Sequence, residues 1–332
     1  MGITERSIAM SEENKRPDAQ THLHKLRKIT LIETGVIAAL VIAVIGLTAA
    51  LSAKKPESVP VALSTTPVTE PQETEATDEK GKIFLFQDGA NGEIYLPVFS
   101  NVPVCNYDHE KIINRNGMVY YVEDEQITSK FGVDISSHQG IIDWETVKEA
   151  GVEFALIRAG YRGYGSGELV EDERFHENMQ GAMDAGIEVG VYFFSQAITP
   201  EEALEEADLT LSMIEGYEFS YPVIFDWEFV SAAEARTSNI SVTGLTDCTV
   251  AFCKAIEEAG YRPMVYQNKR TSLFKLDLSQ IADYDFWLAE YNDRPGYYYH
   301  YDIWQYTENG TVPGIQGEVD LNICFTDYTA GT

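Results

Sequence analysis

Two acidic residues, Asp226 and Glu228, stand one residue apart at the end of an apolar run that follows Pro222. Such a run is typical of a buried strand, and side chains alternate along a strand, so both carboxyl groups should project to the same side. Burying two carboxyl groups side by side raises the pKa of one of them. A neutral carboxylic acid beside an ionised carboxylate is what cleavage of a glycosidic bond requires. A cation site or a solvated strand end is the alternative for the same pair.

The elements that must position this pair alternate in type from residue 131 onward. The helix at 200–215 has a clear start, because Thr199 supplies an N-cap and Pro200 suits the first helical position. Eight strands with four or five helices predict an α/β fold, a βα barrel whose last third is short of helices. We predict strands at 131–136, 154–160, 189–195, 222–228, 262–267, 285–291, 302–306 and 318–323, and helices at 143–150, 171–186, 200–215 and 244–260.

In a βα barrel, the residues that carry out chemistry gather at the C-terminal ends of the strands. Two further acids, Asp134 and Asp320, belong to the first and last predicted strands. A closed barrel would bring these acids and the first pair together. Aromatic side chains would surround them, and acids combined with stacking rings are typical of a carbohydrate site. We predict substrate contacts for Tyr192, Phe194, Trp227, Tyr291, Trp304 and His138.

Some of these residues fit a structural role equally well. Trp227 and Trp304 are as readily explained as core residues. His138 follows the first strand, where a capping or packing role is an equal alternative. The glycine-rich segment at 160–167 lacks the GxGxxG spacing of nucleotide-binding loops, so we interpret it as a loop at the rim of the site. We predict neither a metal nor a cofactor, because no Cys or His spacing suggests one.

Several motifs, taken in order, resemble those of family 25 glycoside hydrolases, the Chalaropsis-type lysozymes. The resemblance covers about residues 131–328. It implies an irregular TIM-like (β/α)5(β)3 barrel and cleavage of the β-1,4 bond from N-acetylmuramic acid to N-acetylglucosamine in peptidoglycan. The matching segments are 131–140, 142–144, 154–161, 190–195, 222–228, 287–291, 304–306 and 317–322.

The resemblance also implies roles for the four acids. Glu228 matches the proton donor of the family, Asp226 its carboxylate partner, and Asp134 and Asp320 the remaining acids of the pocket. We expect Glu228 to be protonated and Asp226 to be ionised. Asp226 would either attack the anomeric carbon or hold the N-acetyl group so that its oxygen attacks. Asp134 and Asp320 are expected to orient this pair and to raise the pKa of Glu228.

Two other functions compete with that of a muramidase. A non-catalytic peptidoglycan-binding module would use the same barrel as a tether to the cell wall, although the intact Asp226 and Glu228 argue against it. A chitinase-like enzyme is disfavoured, because the longer acidic strand motif of that group is absent. Release of reducing ends from peptidoglycan, compared with chitin, would separate the three.

The 332-residue chain is strongly acidic, with a formal net charge of −29. Such a charge disfavours nucleic acids and anionic membrane surfaces as partners, but does not hinder binding of a neutral sugar polymer. We expect peptidoglycan glycan strands as the partner and a monomeric protein. The four cysteines are predicted to be buried, reduced thiols, with a Cys105–Cys324 bridge left open as an alternative.

The N-terminal part of the chain changes composition several times. Residues 35–53 carry no charge and match a membrane-spanning helix. More Lys and Arg residues precede this segment than follow it, which places residues 1–34 in the cytoplasm and the rest outside a cell membrane crossed once. Cleavage of a signal peptide and secretion is the alternative. We predict an extracellular stalk rich in Pro, Thr and Glu at residues 54–81. We further predict a small β-rich appendage at 82–130 and the catalytic barrel at 131–332.

Overall fold

The computed structural model describes residues 81–89, 91–233 and 235–330. The predicted cytoplasmic tail, the predicted membrane segment and the predicted stalk up to residue 80 lie outside these residues. Within the described ranges, no helix has the length and apolar character needed to cross a membrane.

Two small antiparallel sheets precede the barrel. β1 (Ile83–Asp88) and β2 (Gly92–Pro97) form one, while β3 (Ile112–Arg115), β4 (Met118–Glu123) and β5 (Gln126–Ile127) form the other. The turn between β3 and β4 consists of Asn116 and Gly117, whose φ angles are 56° and 89°. Two-residue hairpins favour these residue types because both positions need positive φ.

Nine strands follow, and eight of them close into a barrel-like sheet. The order around the sheet is β6-β14-β13-β12-β11-β10-β9-β7, and β6 pairs with β7 to close it. All neighbours are parallel except those of β14, which runs antiparallel to β13 and β6. The predicted mixed α/β barrel is confirmed at this level. The strands are β6 (Lys130–Ile135), β7 (Phe154–Arg162), β8 (Leu169–Glu171, paired only with β7), β9 (Glu188–Ser195), β10 (Val223–Trp227), β11 (Pro263–Asn268), β12 (Asp285–Ala289), β13 (Ile303–Gly310) and β14 (Val319–Cys324).

Five α-helices occupy the connections between consecutive parallel strands from β6 to β12. The predicted helix at 200–215 starts as expected, with the Thr199 hydroxyl accepting from the backbone N–H of Glu202 and Pro200 in the first turn. The connections on either side of β13, which the structure describes in full, contain no α-helix. The helices are α1 (Trp144–Glu149), α2 (Phe175–Asp184), α3 (Pro200–Ile214), α4 (Val242–Glu258) and α5 (Lys269–Lys275).

Side chains of each barrel strand alternate between two separate apolar clusters. In β10, Val223, Phe225 and Trp227 belong to the cluster that fills the layer between the sheet and the helices. Ile224 belongs to the cluster inside the barrel. Asp226 follows Ile224 by two residues and therefore also points inward.

The appendage packs firmly on the barrel. The ring of Tyr107 stacks on Phe325 with centroids 4.2 Å apart, and that of Phe84 stacks on Tyr298 at 4.3 Å. The backbone N–H of Cys105 donates to the carbonyl of Tyr298 at 3.0 Å. Appendage and barrel accordingly fall in one compact unit.

The four thiols are free. Cys248, Cys253 and Cys324 are buried, and Cys105 is partly buried. Burial raises the pKa of each thiol, which keeps it protonated and unreactive. The predicted burial is confirmed for three of the four thiols, and the structure has no Cys105–Cys324 bridge.

Candidate active site

A cleft of about 590 Å³ lies at the end of the barrel where the parallel strands terminate. It is lined by all four predicted acids, which arrive from β6, β10 and β14. Because β14 runs against the other strands, its first residues rather than its last reach this end. The predicted site residues that line the cleft are Asp134, Asp226, Glu228, Asp320, Tyr192, Phe194, Tyr291 and His138.

Asp134 is the centre of a buried hydrogen-bond network. Its Oδ2 accepts from Gln305 Nε2 at 2.9 Å and from Asn322 Nδ2 at 2.7 Å. Gln305 Oε1 in turn accepts from the hydroxyl groups of Tyr266 and Tyr291, each at 2.9 Å. The carboxylate and the Tyr291 hydroxyl are thus held in place by one amide that bonds to both.

Asp320 is register partner to Asp134 across β14 and β6, and their carboxyl groups form a hydrogen bond. Burial, helped by the charge of Asp134, raises the pKa of Asp320 to about 9. Burial also raises the pKa of Asp134, although the amide donors of Asn322 and Gln305 oppose this. These directions favour the arrangement in which Asp320 carries the shared proton and donates it to Asp134.

The pKa values of Asp226, on β10, and of Glu228, just beyond it, are also raised. Burial raises the pKa of Glu228 to about 7, with smaller contributions from the charges of Asp134 and Glu308. Burial raises the pKa of Asp226 well above its ordinary value too, with Glu228 the next cause and Arg158 opposing. A neutral Glu228 fits its expected role as proton donor. The raised pKa of Asp226 in the unliganded cleft opposes the ionised form expected for it.

One oxygen of Asp226 lacks a donor. Among the described residues, nothing hydrogen-bonds to its buried Oδ1. Leaving a buried acceptor unpaired costs about 1–3 kcal/mol, so such atoms are rare in folded proteins. The carboxyl group of Asp226 is consequently ready to accept a hydrogen bond from a ligand.

Arg158 is the one Lys or Arg among the described residues that line the cleft, and it is already paired. Its guanidinium contacts Asp172 Oδ2, with Nη2 at 2.8 Å and Nε at 2.9 Å. The same oxygen accepts from the backbone N–H of Ser137 at 3.0 Å. Asp172 thereby fixes Arg158 at the cleft wall, where its charge opposes the rise in the pKa of Asp226.

Two glutamines secure the backbone on which Glu228 sits. Gln196 Nε2 donates to the carbonyl of Glu228 at 2.7 Å. Gln267 Nε2 donates to the carbonyl of Trp227. Because Glu228 lies just beyond the end of β10, these bonds replace the strand pairing that would otherwise hold it.

The loop that carries Tyr291 is also secured. The buried carboxylate of Glu290 accepts from Lys269 Nζ at 2.9 Å, from Asn292 Nδ2 at 3.0 Å and from the backbone N–H of Gly296 at 2.8 Å. The Tyr291 side chain is 47% exposed, although its hydroxyl bonds to the buried network. One face of this ring is thus available at the cleft wall.

The structure places two predicted contact residues, Trp227 and Trp304, away from the cleft. Both are fully buried in the layer between sheet and helices. Trp227 Nε1 donates to the carbonyl of Ala197 at 3.0 Å, and Trp304 Nε1 to that of Glu290 at 2.8 Å. Their prediction as substrate contacts was wrong. Each stands next to an inward-facing residue of its strand, so its own side chain points outward, toward the helices.

Replacing Trp227 by phenylalanine should therefore affect stability rather than catalysis. The change removes a buried indole N–H and leaves the Ala197 carbonyl without its donor, which should lower the free energy of unfolding by about 1–3 kcal/mol. We expect unchanged kcat and KM below the unfolding transition, measured alongside a urea titration. A kcat loss of tenfold or more in folded protein would instead show that Trp227 contributes to catalysis.

Several cleft residues were not predicted from the sequence. Neutral amides and tyrosines give no catalytic signal by themselves, and Gln305 and Tyr266 matter only through partners that are distant in the chain. Glu308 lies three residues beyond Gln305 on β13, where strand irregularities bring it to the cleft. Trp287 lines the cleft but was not among the predicted substrate contacts. The unpredicted lining residues include Arg158, Tyr161, Tyr266, Trp287, Gln305 and Glu308.

The cleft offers no evident metal site. Within the part of the chain that the structure describes, no group of three or more His, Cys, Asp or Glu side chains is arranged to hold a metal ion. Asp134 instead bonds to the amides of Gln305 and Asn322 and to Asp320.

Several known proteins are similar to this chain in sequence and fold. The autolytic lysozyme of Clostridium acetobutylicum is 30% identical over 193 residues, which is 58% of this chain and 54% of that protein. Lysozyme M1 of Streptomyces globisporus is 28% identical over 204 residues, covering 58% of this chain and 66% of that protein. This chain spans about half the length of the clostridial relative.

A solved structure supports the same relationship. The modular autolysin LytC from Streptococcus pneumoniae, in complex with a synthetic peptidoglycan ligand, superposes with a TM-score of 0.53 at 25% identity. The match covers 75% of this chain and 58% of LytC. The family model described as "Glycosyl hydrolases family 25" matches residues 133–315, more than half of the chain. With the acids of the cleft inside that range or directly behind its end, the chain belongs to glycosyl hydrolase family 25.

Proposed function

We propose that this protein is a muramidase that hydrolyses the β-1,4 bond between N-acetylmuramic acid and N-acetylglucosamine in peptidoglycan. The observation that carries the proposal is the cleft itself, in which Glu228 has a pKa of about 7 beside a second carboxyl group with an unpaired oxygen. Relatives named as lysozymes support the choice of substrate. We assign the barrel to the irregular (β/α)5(β)3 type that this family implies.

Glu228 is the general acid in this proposal. Its proton passes to the glycosidic oxygen as the bond to the anomeric carbon breaks, so the leaving sugar departs as a neutral alcohol. The resulting carboxylate then takes a proton from the water that completes hydrolysis. A pKa near the working pH suits both halves of this cycle, because the group must give a proton and then regain it.

Asp226 assists at the anomeric centre by one of two routes. Its carboxylate attacks the carbon directly, or it holds the N–H of the 2-acetamido group so that the acetamido oxygen attacks. The unpaired buried Oδ1 favours the second route, because an amide N–H would supply the missing donor and would lower the pKa of Asp226. Asp226 then becomes ionised when substrate is bound.

The other two acids position this pair. Asp134 is fixed by Gln305 and Asn322, and its charge contributes to the raised pKa values of Glu228 and Asp226. Asp320 keeps the shared proton and limits the negative charge on the cleft floor. The Tyr291 ring forms a wall against which a sugar can stack.

The pH dependence of kcat should reveal the acid. Because only protonated Glu228 can donate, kcat should fall as the pH rises above about 7. Substitution of Glu308 by glutamine removes a negative charge that helps to raise this pKa, so the alkaline limb should move to lower pH. An unshifted limb would contradict this assignment of the titrating group.

A matched control for this experiment is Glu318→Gln. It makes the same change in charge at an exposed residue that does not line the cleft. The alkaline limb should remain in place in this variant, since an exposed charge outside the cleft is screened by solvent and salt.

We also propose that the enzyme is held at the outer face of a cell membrane by residues 35–53 and acts in remodelling of the cell's own wall. The uncharged run and the basic residues ahead of it support this placement. Fractionation of cells that express the full chain tests it, since release of the protein into the medium would favour signal-peptide cleavage instead.

The central experiment separates the enzyme from a binding module. Purified peptidoglycan is incubated with the full chain, and newly formed reducing ends are identified by mass as muramic acid or glucosamine. Muramic acid ends support the proposal. Binding without any reducing ends would indicate a peptidoglycan-binding module, and glucosamine ends would indicate a different glycosidase.

A further inference from the structure

A second cavity, of about 770 Å³, lies beside the cleft. One wall is the β3–β4 hairpin of the appendage, and the other is formed by the loop after β12 together with β13, β14 and the turn that joins them. The appendage therefore completes a cavity that the barrel alone would leave open. Its lining includes Asn114, Asn116, Tyr291, Thr307 and Asn309.

The two cavities adjoin each other. Tyr291 lines both of them. Strand β13 lies between them. Its residues Gln305 and Glu308 line the cleft, whereas Thr307 and Asn309 line the second cavity. A linear polymer that leaves the cleft past Tyr291 would pass directly into this second space.

The hairpin wall is fixed in position. The hydroxyl of Tyr306 donates to the carbonyl of Gly117 at 3.2 Å and accepts from the backbone N–H of Val119 at 3.4 Å. Within the turn, Asn114 Oδ1 accepts from the backbone N–H of Gly117 at 3.0 Å. A preformed wall lowers the entropic cost of binding, because little has to be ordered when a ligand arrives.

The chemistry of the lining selects the type of ligand. Among the described residues of the lining, four asparagines and two threonines offer neutral donors and acceptors, Asp293 is the single charged residue, and there is no lysine or arginine. Carboxylate-bearing peptide stems would meet repulsion and no counter-charge. Hydroxyl and acetamido groups of sugars match such amides well, and Tyr291 offers a ring face for stacking.

We propose that this second cavity binds N-acetylated sugar units of the same glycan strand whose scissile bond lies in the cleft. The inference rests on the proposed muramidase function and extends it. The enzyme would then favour long glycan strands over short fragments, through contacts supplied partly by residues 82–130. Affinity gained in this cavity lies far from the reacting bond and should lower KM without changing kcat.

The test removes two amides that do not belong to the catalytic network. In Asn116→Gly the backbone keeps the positive φ that the turn needs, so only the side chain is lost. Asn309→Ala removes an exposed amide from the opposite wall. The matched control is Asn239→Ala, an exposed asparagine that lines neither cavity.

The readout compares ligands of two lengths. Both substitutions are placed in a Glu228→Gln background, and dissociation constants are measured for long glycan strands freed of their peptides and for a tetrasaccharide. Affinity for long strands should fall about tenfold, as expected for loss of one or two neutral hydrogen bonds, and affinity for the tetrasaccharide should stay the same. An unchanged affinity for long strands, or an equal loss for both ligands, would overturn the proposal.

Failure of the underlying function gives a different result. If wild-type protein releases no reducing ends and the Glu228→Gln parent binds neither ligand, the muramidase function fails and the second cavity loses its proposed ligand with it. If the parent binds both ligands and wild type cleaves, but the double variant binds long strands normally, only the second-cavity proposal is refuted. Equal melting temperatures for parent and variants establish that all are folded.

Discussion

Glutamine in place of Glu228 should lower kcat on peptidoglycan by two or more orders of magnitude. The substitution preserves the size of the side chain but removes the proton that the leaving oxygen needs, and general acid catalysis typically contributes 10²- to 10⁴-fold. Burial raises the pKa of Glu228 to about 7. Glutamine cannot titrate, so the same burial gives the variant no acid for catalysis. KM should change little, because a neutral amide resembles the protonated acid that substrate meets.

The same assay on Glu318→Gln provides the comparison. This variant changes an exposed acid outside the cleft and should match wild type in kcat. Wall lysis at near-normal rates by Glu228→Gln, with the control also normal, would mean that another group donates the proton.

Asparagine in place of Asp226 should have the second large effect, a fall in kcat of about 10²- to 10³-fold. Loss of one preorganised group that stabilises a developing charge costs this much in other enzymes. Stability should not suffer, because burial disfavours the ionised carboxylate that the substitution removes. An unfolding midpoint that stays the same or rises, together with lost activity, is the expected combination.

A modified substrate distinguishes the two roles of Asp226. Glycan whose muramic acid has been deacetylated lacks the acetamido oxygen. If that oxygen is the nucleophile, wild type should lose most of its turnover on this substrate, and Asp226→Asn should cause little further loss. Sustained wild-type turnover would instead identify Asp226 itself as the attacking group.

Alternation along strands predicted that Asp226 and Glu228 lie on the same side, as the cleft lining shows. The same rule could have excluded the two misplaced tryptophans. Asp226 and Glu228 share a side because they are two residues apart, so Trp227 between them must face the helices. On β13, Gln305 points inward and its neighbour Trp304 points outward. An aromatic residue beside a catalytic acid in sequence is therefore a poor candidate for contact with the same substrate.

Other features depend on contacts between distant parts of the chain, and no local pattern signals them. The amides of Gln305 and Asn322 gain their role from Asp134, more than 150 residues earlier in the chain. Helix α5 has seven residues, too few for a clear helical period. The appendage was predicted as β-rich, but its packing through Tyr107 and Phe84 depends on ring positions that only the folded barrel defines.

Barrel closure between β6 and β14 has a consequence for biosynthesis. Asp134 and Asp320 are nearly two hundred positions apart, and they meet only when the last strand inserts beside the first. Pairings of such long range form late, because chain entropy must be lost before they contribute stability. A nascent or truncated polypeptide that ends before Val319 would lack half of this acidic pair, so under the proposed function an incomplete product should be inactive on peptidoglycan.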